Sequence, residues 1–145
     1  MRNVHATALV LGQRGLLLVG PSGAGKSSLA LDLIHAAERQ GQSCSLVSDD
    51  QVLIEVKDGT VIGHAPSSIF GLIEVRGAGI VSMPAVTSAT LHVAILPIRA
   101  PYEPRMPPEN ERFDLGDGNS LPLVRLPVGL CQDVLGLLQR LLKSN

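Results

Sequence analysis

The 145-residue sequence predicts an α/β domain with a mixed β-sheet, flanking helices and a phosphate loop between a strand and a helix. The stretch Gly20–Ser27, GPSGAGKS, fits the pattern G-x-x-x-x-G-K-[ST] at every fixed position. A short apolar run precedes it and an apolar spacing typical of a helix follows it, which is the context that the pattern requires. Further short apolar runs, bounded by turn residues, indicate more strands than a simple alternation of strand and helix would give.

The elements around the loop follow from periodicity and turn residues. The apolar runs Ala6–Leu11 and Leu16–Val19 are separated by a segment with two glycines, which predicts a hairpin whose second strand enters the loop. After the loop, Ser27–Gln40 carries leucines and alanines at helical spacing, and Gly41 is a plausible stop.

The next run, Cys44–Ser48, predicts a strand that ends at Asp49 and Asp50. In open α/β sheets the carboxyl ends of strands form the edge where ligands bind. The segments Gln51–Val56 and Thr60–His64 then flank an Asp-Gly dipeptide and predict a second hairpin.

The second half of the chain is predicted in four parts. Ser67–Val81 is apolar and strand-like with interspersed glycines, and Leu91–Ile98 predicts a buried strand. Arg99–Asn119 is polar and rich in proline, which is typical of a mobile surface loop long enough to act as a lid. Leu130–Leu142 has the leucine spacing of an amphipathic helix.

Composition narrows the classes of function. The length fits a single domain over residues 1–145. Twelve basic and thirteen acidic residues give a net charge of −1, without the basic excess expected of a nucleic-acid-binding protein. No apolar run is long enough to span a bilayer and no signal peptide is recognisable at the N-terminus, so we expect a cytoplasmic protein without a membrane partner.

The loop supplies the first candidate site. Its glycines let successive backbone N–H groups point at phosphate oxygens, and the following helix N-terminus adds positive potential. We expect Lys26 to contact the outer phosphates of a nucleotide and the Ser27 hydroxyl to ligate Mg²⁺. The nucleotide-binding candidates are Gly20, Pro21, Ser22, Gly23, Ala24, Gly25, Lys26, Ser27 and Ser28.

Charged residues outside the loop supply the second candidate site. Asp49 and Asp50 are adjacent on a strand end, so only one is expected to face the phosphates; two solvated turn acids are the alternative. Glu74 and Arg76 share one face if their segment is extended, which favours a Mg²⁺ ligand beside a phosphate-binding arginine. An internal ion pair between them is the alternative.

Other candidates receive less support from local sequence. Arg105 lies in the polar segment PYEPRMPP, where an arginine could reach a transferring phosphate, although local sequence alone favours a solvated side chain. The histidines show no metal-ligand spacing. They are His5, His35, His64 and His92.

Three segments together resemble the catalytic domain of bacterial HPr kinase/phosphorylase: HATALVLGQRGLLLVGPSGAGKSSLALDL, LVSDD and IEVRGAGIV, in that order. The resemblance covers about residues 4–128. It implies a P-loop kinase-like fold and an enzyme that uses ATP and Mg²⁺ to phosphorylate a serine of HPr, the phosphocarrier protein of the sugar phosphotransferase system. It also implies a homo-oligomer, usually a hexamer.

The resemblance assigns roles position by position. His5 matches the family's active-site histidine and Lys26 its loop lysine. Ser27 and Glu74 match the metal ligands, and Asp50 matches the carboxylate that takes the serine proton.

Arg105 matches the arginine that assists transfer, and Asp49 is the neighbour of the proton acceptor. Because the chain begins at the catalytic domain, it resembles the short form without an N-terminal domain. Ser28 stands where the family usually has an acidic residue.

The late family motif P-V-R-P-G-R-N is matched only by Leu126–Cys131, without either arginine. We therefore expect kinase activity with altered regulation, and the reverse phosphorylase activity has the weakest support. A P-loop small-molecule kinase and a non-catalytic nucleotide-sensing regulator are the alternative functions.

Overall fold

The computed structural model describes residues 1–129 and 133–144, so Leu130, Cys131, Gln132 and Asn145 lie outside the described part. The strands are β1 Arg2–Val4, β2 Thr7–Leu11, β3 Arg14–Leu18, β4 Cys44–Ser48, β5 Val52–Lys57, β6 Thr60–His64, β7 Leu72–Val75, β8 Gly79–Ser82, β9 Ser88–Thr90, β10 Val93–Ile98, β11 Arg112–Gly116 and β12 Asn119–Pro127. The helices are α1 Lys26–Arg39, a 3₁₀ turn Ser67–Ile69, and α2 Val134–Ser144.

The main sheet of the described residues has six strands in the order β11, β12, β10, β3, β2, β4. Strand β10 pairs in parallel with β3 and with β12, whereas β2 is antiparallel to both of its neighbours, β3 and β4. Strands β3, β4, β10 and β12 therefore run in one direction and end at one edge. The phosphate loop, the two aspartates, Arg99 and residues 128–129 are all at this edge, which we call the carboxyl edge.

Each face of the main sheet is covered by a different layer. Along β3, Leu16 and Leu18 pack with α1 and α2, while Leu17 lies on the opposite face. That opposite face packs against a second sheet of β1, β5, β6 and β9, which contributes Val52 and Ile54 to its core. The alternation follows from the period of two along a strand. The molecule thus has three layers: helices, main sheet and second sheet.

Seven predicted elements lie where the sequence places them. Strands β2 to β6, β10 and helix α1 differ from the predicted bounds by at most two residues at either end. The mixed sheet with a phosphate loop between strand and helix is confirmed. The helices flank only one of its faces, because the second sheet covers the other.

Two predictions for the second half are corrected. Ser67–Val81 is not one extended segment: it contains the 3₁₀ turn and then the hairpin of β7 and β8, since Gly71 and Gly77 adopt positive φ angles of 74° and 83° that turn the chain. The predicted loop Arg99–Asn119 ends earlier, because β11 lies within it and buries Leu115. Strands β9 and β12 of this half, and β1 at the start of the chain, were not predicted.

The C-terminal helix α2 begins at Val134, and the predicted start at Leu130 lies outside the described residues. Among the described residues, no helix is long and apolar enough to cross a membrane.

Candidate active site

The phosphate loop and the end of β4 line a small cavity of about 210 Å³ at the carboxyl edge, which we call the phosphate cavity. Gly25 ends the loop with φ 94° and occupies the N-cap position of α1. A side chain at this φ would be strained, so glycine is required where the loop turns into the helix. Backbone N–H groups at the start of α1 then lie beside the cavity, as anion binding at a helix N-terminus requires.

Lys26 is buried beneath the loop, with 7% of its surface exposed. Its ammonium donates hydrogen bonds to the carbonyl oxygens of Gly20 at 2.7 Å and Pro21 at 3.1 Å. Burial lowers the pKa of Lys26, and the negative charges of Asp50 and Asp49 oppose that shift. Because an ammonium has three donors, one remains for a phosphate oxygen.

Asp49 links three segments at the floor of the cavity. Its Oδ1 atom accepts hydrogen bonds from the Ser27 hydroxyl at 2.7 Å and from the Thr7 hydroxyl at 2.9 Å. Its Oδ2 atom accepts one from the backbone N–H of Glu74 at 3.1 Å. The carboxylate is buried and hydrogen-bonded on both oxygens, so it positions its neighbours and is not available to a substrate hydroxyl.

Asp50 has the opposite environment. It is the central residue of a three-residue turn in which the Gln51 N–H donates to the Asp49 carbonyl oxygen at 2.9 Å, and its φ is 72°. This positive-φ γ-turn is a rare and strained backbone conformation. The Asp50 side chain is 63% exposed, and its Oδ1 atom lies 3.0 Å from His5 Nδ1. The turn therefore presents an exposed carboxylate at the mouth of the phosphate cavity.

Glu74 and Arg76 both line the cavity, although Arg76 lies in the turn after β7 and not on the strand. Within the described residues, no ion pair joins their side chains. The alternative of an internal Glu74–Arg76 pair is therefore not observed. Three carboxylates and two cations line this cavity, so bound phosphates would require an additional cation.

Mg²⁺ fits this set of side chains. In the part of the chain that the structure describes, no three histidine, cysteine or acidic side chains converge as a metal site. Mg²⁺ does not require such a cluster, because it is usually held by one or two protein ligands, substrate phosphates and water. The Ser27 hydroxyl hydrogen is donated to Asp49, which leaves its oxygen lone pairs for a metal, and the Glu74 carboxylate lines the same cavity.

The structure gathers most of the candidates predicted from sequence. Those that line the phosphate cavity are His5, Ser22, Gly23, Gly25, Lys26, Ser27, Ser28, Asp49, Asp50, Glu74 and Arg76. The loop residues Gly20, Pro21 and Ala24 complete the turn beside it. Arg105 is not brought to the site: it is exposed in the loop between β10 and β11 and does not line the cavity.

Two residues near the loop were not predicted. Thr7 is fully buried and bonded to Asp49, and the sequence signal was a lone hydroxyl in the apolar run Ala6–Leu11. Arg99 is the first residue after β10, and its Nη2 atom lies 3.2 Å from where a Cβ on Gly25 would be. An arginine that directly follows a buried strand was the signal for this residue.

Comparison with known proteins identifies the family. The family described as HPr Serine kinase C-terminal domain matches residues 1–91. This range includes the phosphate loop, both aspartates, Glu74 and Arg76, whereas Arg99 and Arg105 lie beyond it.

Related sequences and a solved structure support the same family assignment. The HPr kinase/phosphorylase of Clostridium novyi is 35% identical over 122 residues, which is 79% of this chain and 36% of that protein. That of Clostridium perfringens is 46% identical over 72 residues, 50% of this chain and 22% of that protein. The chain thus spans well under half the length of these curated relatives.

A solved structure, the Hpr(Ser) kinase/phosphatase from Coxiella burnetii, superposes with a TM-score of 0.76 at 25% identity, covering 99% of this chain and 95% of that one. Together with the family match over more than half of the sequence, this structural likeness and the geometry of the phosphate cavity lead to one conclusion. The chain belongs to the HPr serine kinase C-terminal domain family.

Proposed function

We propose that this protein is an ATP- and Mg²⁺-dependent kinase that phosphorylates a serine of an HPr-type phosphocarrier protein. The observation that carries the proposal is the exposed carboxylate of Asp50 at the mouth of the phosphate cavity. A serine on the surface of another protein can reach only a base that is itself exposed. The names of the related proteins support HPr as the acceptor and a nucleotide as the donor.

The proposed reaction is a direct transfer. The acceptor serine oxygen attacks the γ-phosphorus of ATP, the bond between that phosphorus and the bridging oxygen of ADP breaks, and the serine proton passes to Asp50. His5, whose Nδ1 atom lies 3.0 Å from Asp50 Oδ1, orients the Asp50 carboxylate. Lys26 and the loop N–H groups hold the phosphates in line with the incoming oxygen.

Ser27 and Glu74 are the residues that would hold Mg²⁺, which when bound neutralises charge on the phosphate oxygens. Asp49 holds the Ser27 hydroxyl and the Glu74 backbone in place, so both proposed ligands depend on one buried carboxylate. Arg76 lines the same cavity and supplies positive charge for the transferred phosphoryl group.

The test is transfer of label from γ-labelled ATP to HPr-type carriers, with Mg²⁺, by the wild-type protein and by Asp50→Asn. The substitution preserves side-chain shape and removes the base, so we expect label on the carrier serine to fall about 1,000-fold while ATP still binds. Asp58→Asn is a matched control, because Asp58 is also an aspartate with positive φ, 53°, and lies in the turn between β5 and β6.

Equal transfer by wild type and Asp50→Asn would remove Asp50 from the role of base. Binding of ATP by the wild type without transfer to any carrier would contradict kinase function and favour a nucleotide-sensing regulator. The proposal concerns phosphorylation only, because Leu126–Cys131 lacks both arginines of the late family motif.

We also propose that the protein is a homo-oligomer, with the hexamer of the resembling family as the expected size. The β7–β8 hairpin and the turn before it expose apolar side chains beside the site. Their exposed fractions are 42% for Phe70, 68% for Ile80 and 38% for Val81. Contact between copies would remove this surface from water. A monomeric mass in light scattering would contradict the proposal.

A further inference from the structure

The turn at Asp50 is the corner at which the chain passes from the main sheet to the second sheet. Strand β4 of the main sheet ends at Ser48, and β5 of the second sheet begins at Val52. The crossing from β1 to β2 lies beside this corner, because the Ala6 N–H donates to the Asp50 carbonyl oxygen at 3.2 Å. His5 and Asp50 therefore occupy two neighbouring corners between the same two sheets.

Strand β4 changes its register on β2 just before this corner. Leu9 of β2 pairs with Leu46 of β4. Its neighbour Ala8 pairs with Ser48, so Val47 has no counterpart on β2 and the strand contains a β-bulge. A β-bulge bends its strand and redirects the side chains near it. The bulge thus sets the direction in which the chain leaves the main sheet, and Ser48 is the last residue of the bulged strand.

The Ser48 side chain is fully buried and bonds across the corner. Its hydroxyl donates to the carbonyl oxygen of Gln51 at 2.5 Å. The N–H of Gln51 donates to the Asp49 carbonyl oxygen at 2.9 Å, which closes the turn. Both backbone groups of Gln51 are therefore held by residues on the β4 side of the corner, and Asp50 lies between them.

The strained backbone of Asp50 depends on such contacts. An aspartate at φ 72° keeps this conformation only where the surrounding structure fixes it. Besides the Ser48 bond, the Ala6 N–H contacts the turn at 3.2 Å, and the Thr7 hydroxyl lies 3.5 Å from the Asp50 N–H. Of these three contacts, the Ser48 bond is the shortest. Without it, the turn can relax toward negative φ and carry the Asp50 carboxylate to a different direction.

We infer that Ser48 is a positioning residue for the proposed base: its hydroxyl fixes the turn that presents the Asp50 carboxylate at the mouth of the phosphate cavity. The inference rests on the proposed function, because it takes Asp50 as the acceptor of the serine proton. Ser48 is buried and does not line the phosphate cavity, so it acts on the reaction only through Asp50. Loss of its hydroxyl should lower the rate of transfer and leave ATP binding unchanged, because the phosphate loop is not part of this turn.

The test is a double-mutant cycle of Ser48→Ala and Asp50→Asn, with label transfer to the carrier measured in single turnover. Ser48→Ala should lower the rate about tenfold when Asp50 is present. In the Asp50→Asn background it should change the rate by less than about twofold, because no base remains to be positioned. The dissociation constant of Mg·ATP should stay the same in all variants. Ser45→Ala is the matched control: it makes the same substitution in β4, at a serine whose hydroxyl has no hydrogen-bond partner among the described residues, and should transfer label at the wild-type rate.

A wild-type rate in Ser48→Ala, with Asp50→Asn slow, would overturn the inference and leave the proposed base standing. An equal loss in both backgrounds would also overturn it, because a general defect of the fold does not depend on Asp50. Weaker ATP binding by Ser48→Ala would assign the defect to Asp49, which holds the Ser27 hydroxyl, and would overturn it too. If Asp50→Asn transfers label as fast as wild type, the proposed role of Asp50 fails together with the inference.

Discussion

Two cavities at opposite edges of the main sheet differ in what their charged groups do. The larger, about 890 Å³, lies where β3 and β10 begin. There Arg125 donates to both carboxylate oxygens of Glu111, at 2.7 and 2.9 Å, and the Nδ1 atom of His92 accepts the N–H of Gly15 at 2.9 Å. In the smaller phosphate cavity the Glu74 side chain lacks a protein partner among the described residues, as Arg14 and Glu109 do in the larger one, but Glu74 lies beside the phosphate loop and Lys26.

Choosing the candidate site by cavity volume alone would therefore select the larger cavity and miss the phosphate loop. Charged groups that form hydrogen bonds with each other stabilise the fold, whereas a charged group without a partner beside a phosphate loop is available to a ligand. The comparison predicts that substitutions at the phosphate cavity change activity, and that those at the larger cavity change stability.

The largest effect is expected for Lys26→Met. Loss of the ammonium should lower phosphoryl transfer by about 100- to 1,000-fold, because it removes a charged donor to the phosphates. The melting temperature should change little: the hydrogen bonds to the Gly20 and Pro21 carbonyl oxygens are lost, but burial lowers the pKa of Lys26 and thus disfavours its charged form in the folded protein. Label transfer and thermal unfolding measure the two results. Arg14→Met, at the larger cavity, should leave transfer unchanged.

Thr7→Val should lower kcat about tenfold and leave KM for ATP within about twofold, since loss of one hydrogen bond to a charged group is of this order. The change removes a donor to Asp49 and the acceptor that lies 3.5 Å from the Asp50 N–H. Thr7→Ser should restore kcat because it keeps the hydroxyl. Thr90→Val on β9 is the control. A serine variant as slow as the valine variant would assign the defect to packing.

Glu111→Gln tests whether the charged pair at the larger cavity stabilises the fold. The hydrogen bonds from Arg125 raise the pKa of that guanidinium, so the pair is favourable in its charged form. Breaking it should lower the melting temperature by a few degrees and leave label transfer unchanged. A loss of label transfer without a fall in melting temperature would show that the larger cavity takes part in phosphoryl transfer.

The smallest effect is expected at Cys44, at the start of β4. Burial raises the pKa of this thiol from 9.0 to about 11, so the folded protein keeps its proton where the unfolded chain loses it. The resulting stability is fully present below pH 9 and declines as pH rises toward 11. Urea unfolding at pH 8 and pH 10.5 should therefore show a larger loss of unfolding free energy for wild type than for Cys44→Ala. Equal losses would contradict this assignment.

Local signals were enough for the phosphate loop, helix α1 and strand β4, which ends just before Asp49. Each depends on residues close together in the chain, namely a glycine pattern, a helical spacing or an apolar run. The different environments of Asp49 and Asp50 could not be read in this way, because Thr7 and Ser27 hold the first and a turn exposes the second.

The positions of the arginines relative to the loop could not be read from local sequence either. Arg105 is close in sequence to Arg99, yet only Arg99 reaches the loop, because β10 pairs with β3 and ends at the carboxyl edge. That pairing joins residues far apart in the chain. Strand β12 was missed because its prolines and polar residues obscure the apolar alternation that its partners β10 and β11 complete.

The turn at Asp50 has a consequence for how this site can evolve. A residue with a side chain is strained at φ 72°, whereas glycine is not, so the fold would be more stable with glycine at this position. Selection for thermal stability alone would therefore remove the proposed base. If related chains lose their activity, we expect position 50 to drift toward glycine early, with a gain in melting temperature, because only catalysis opposes that change.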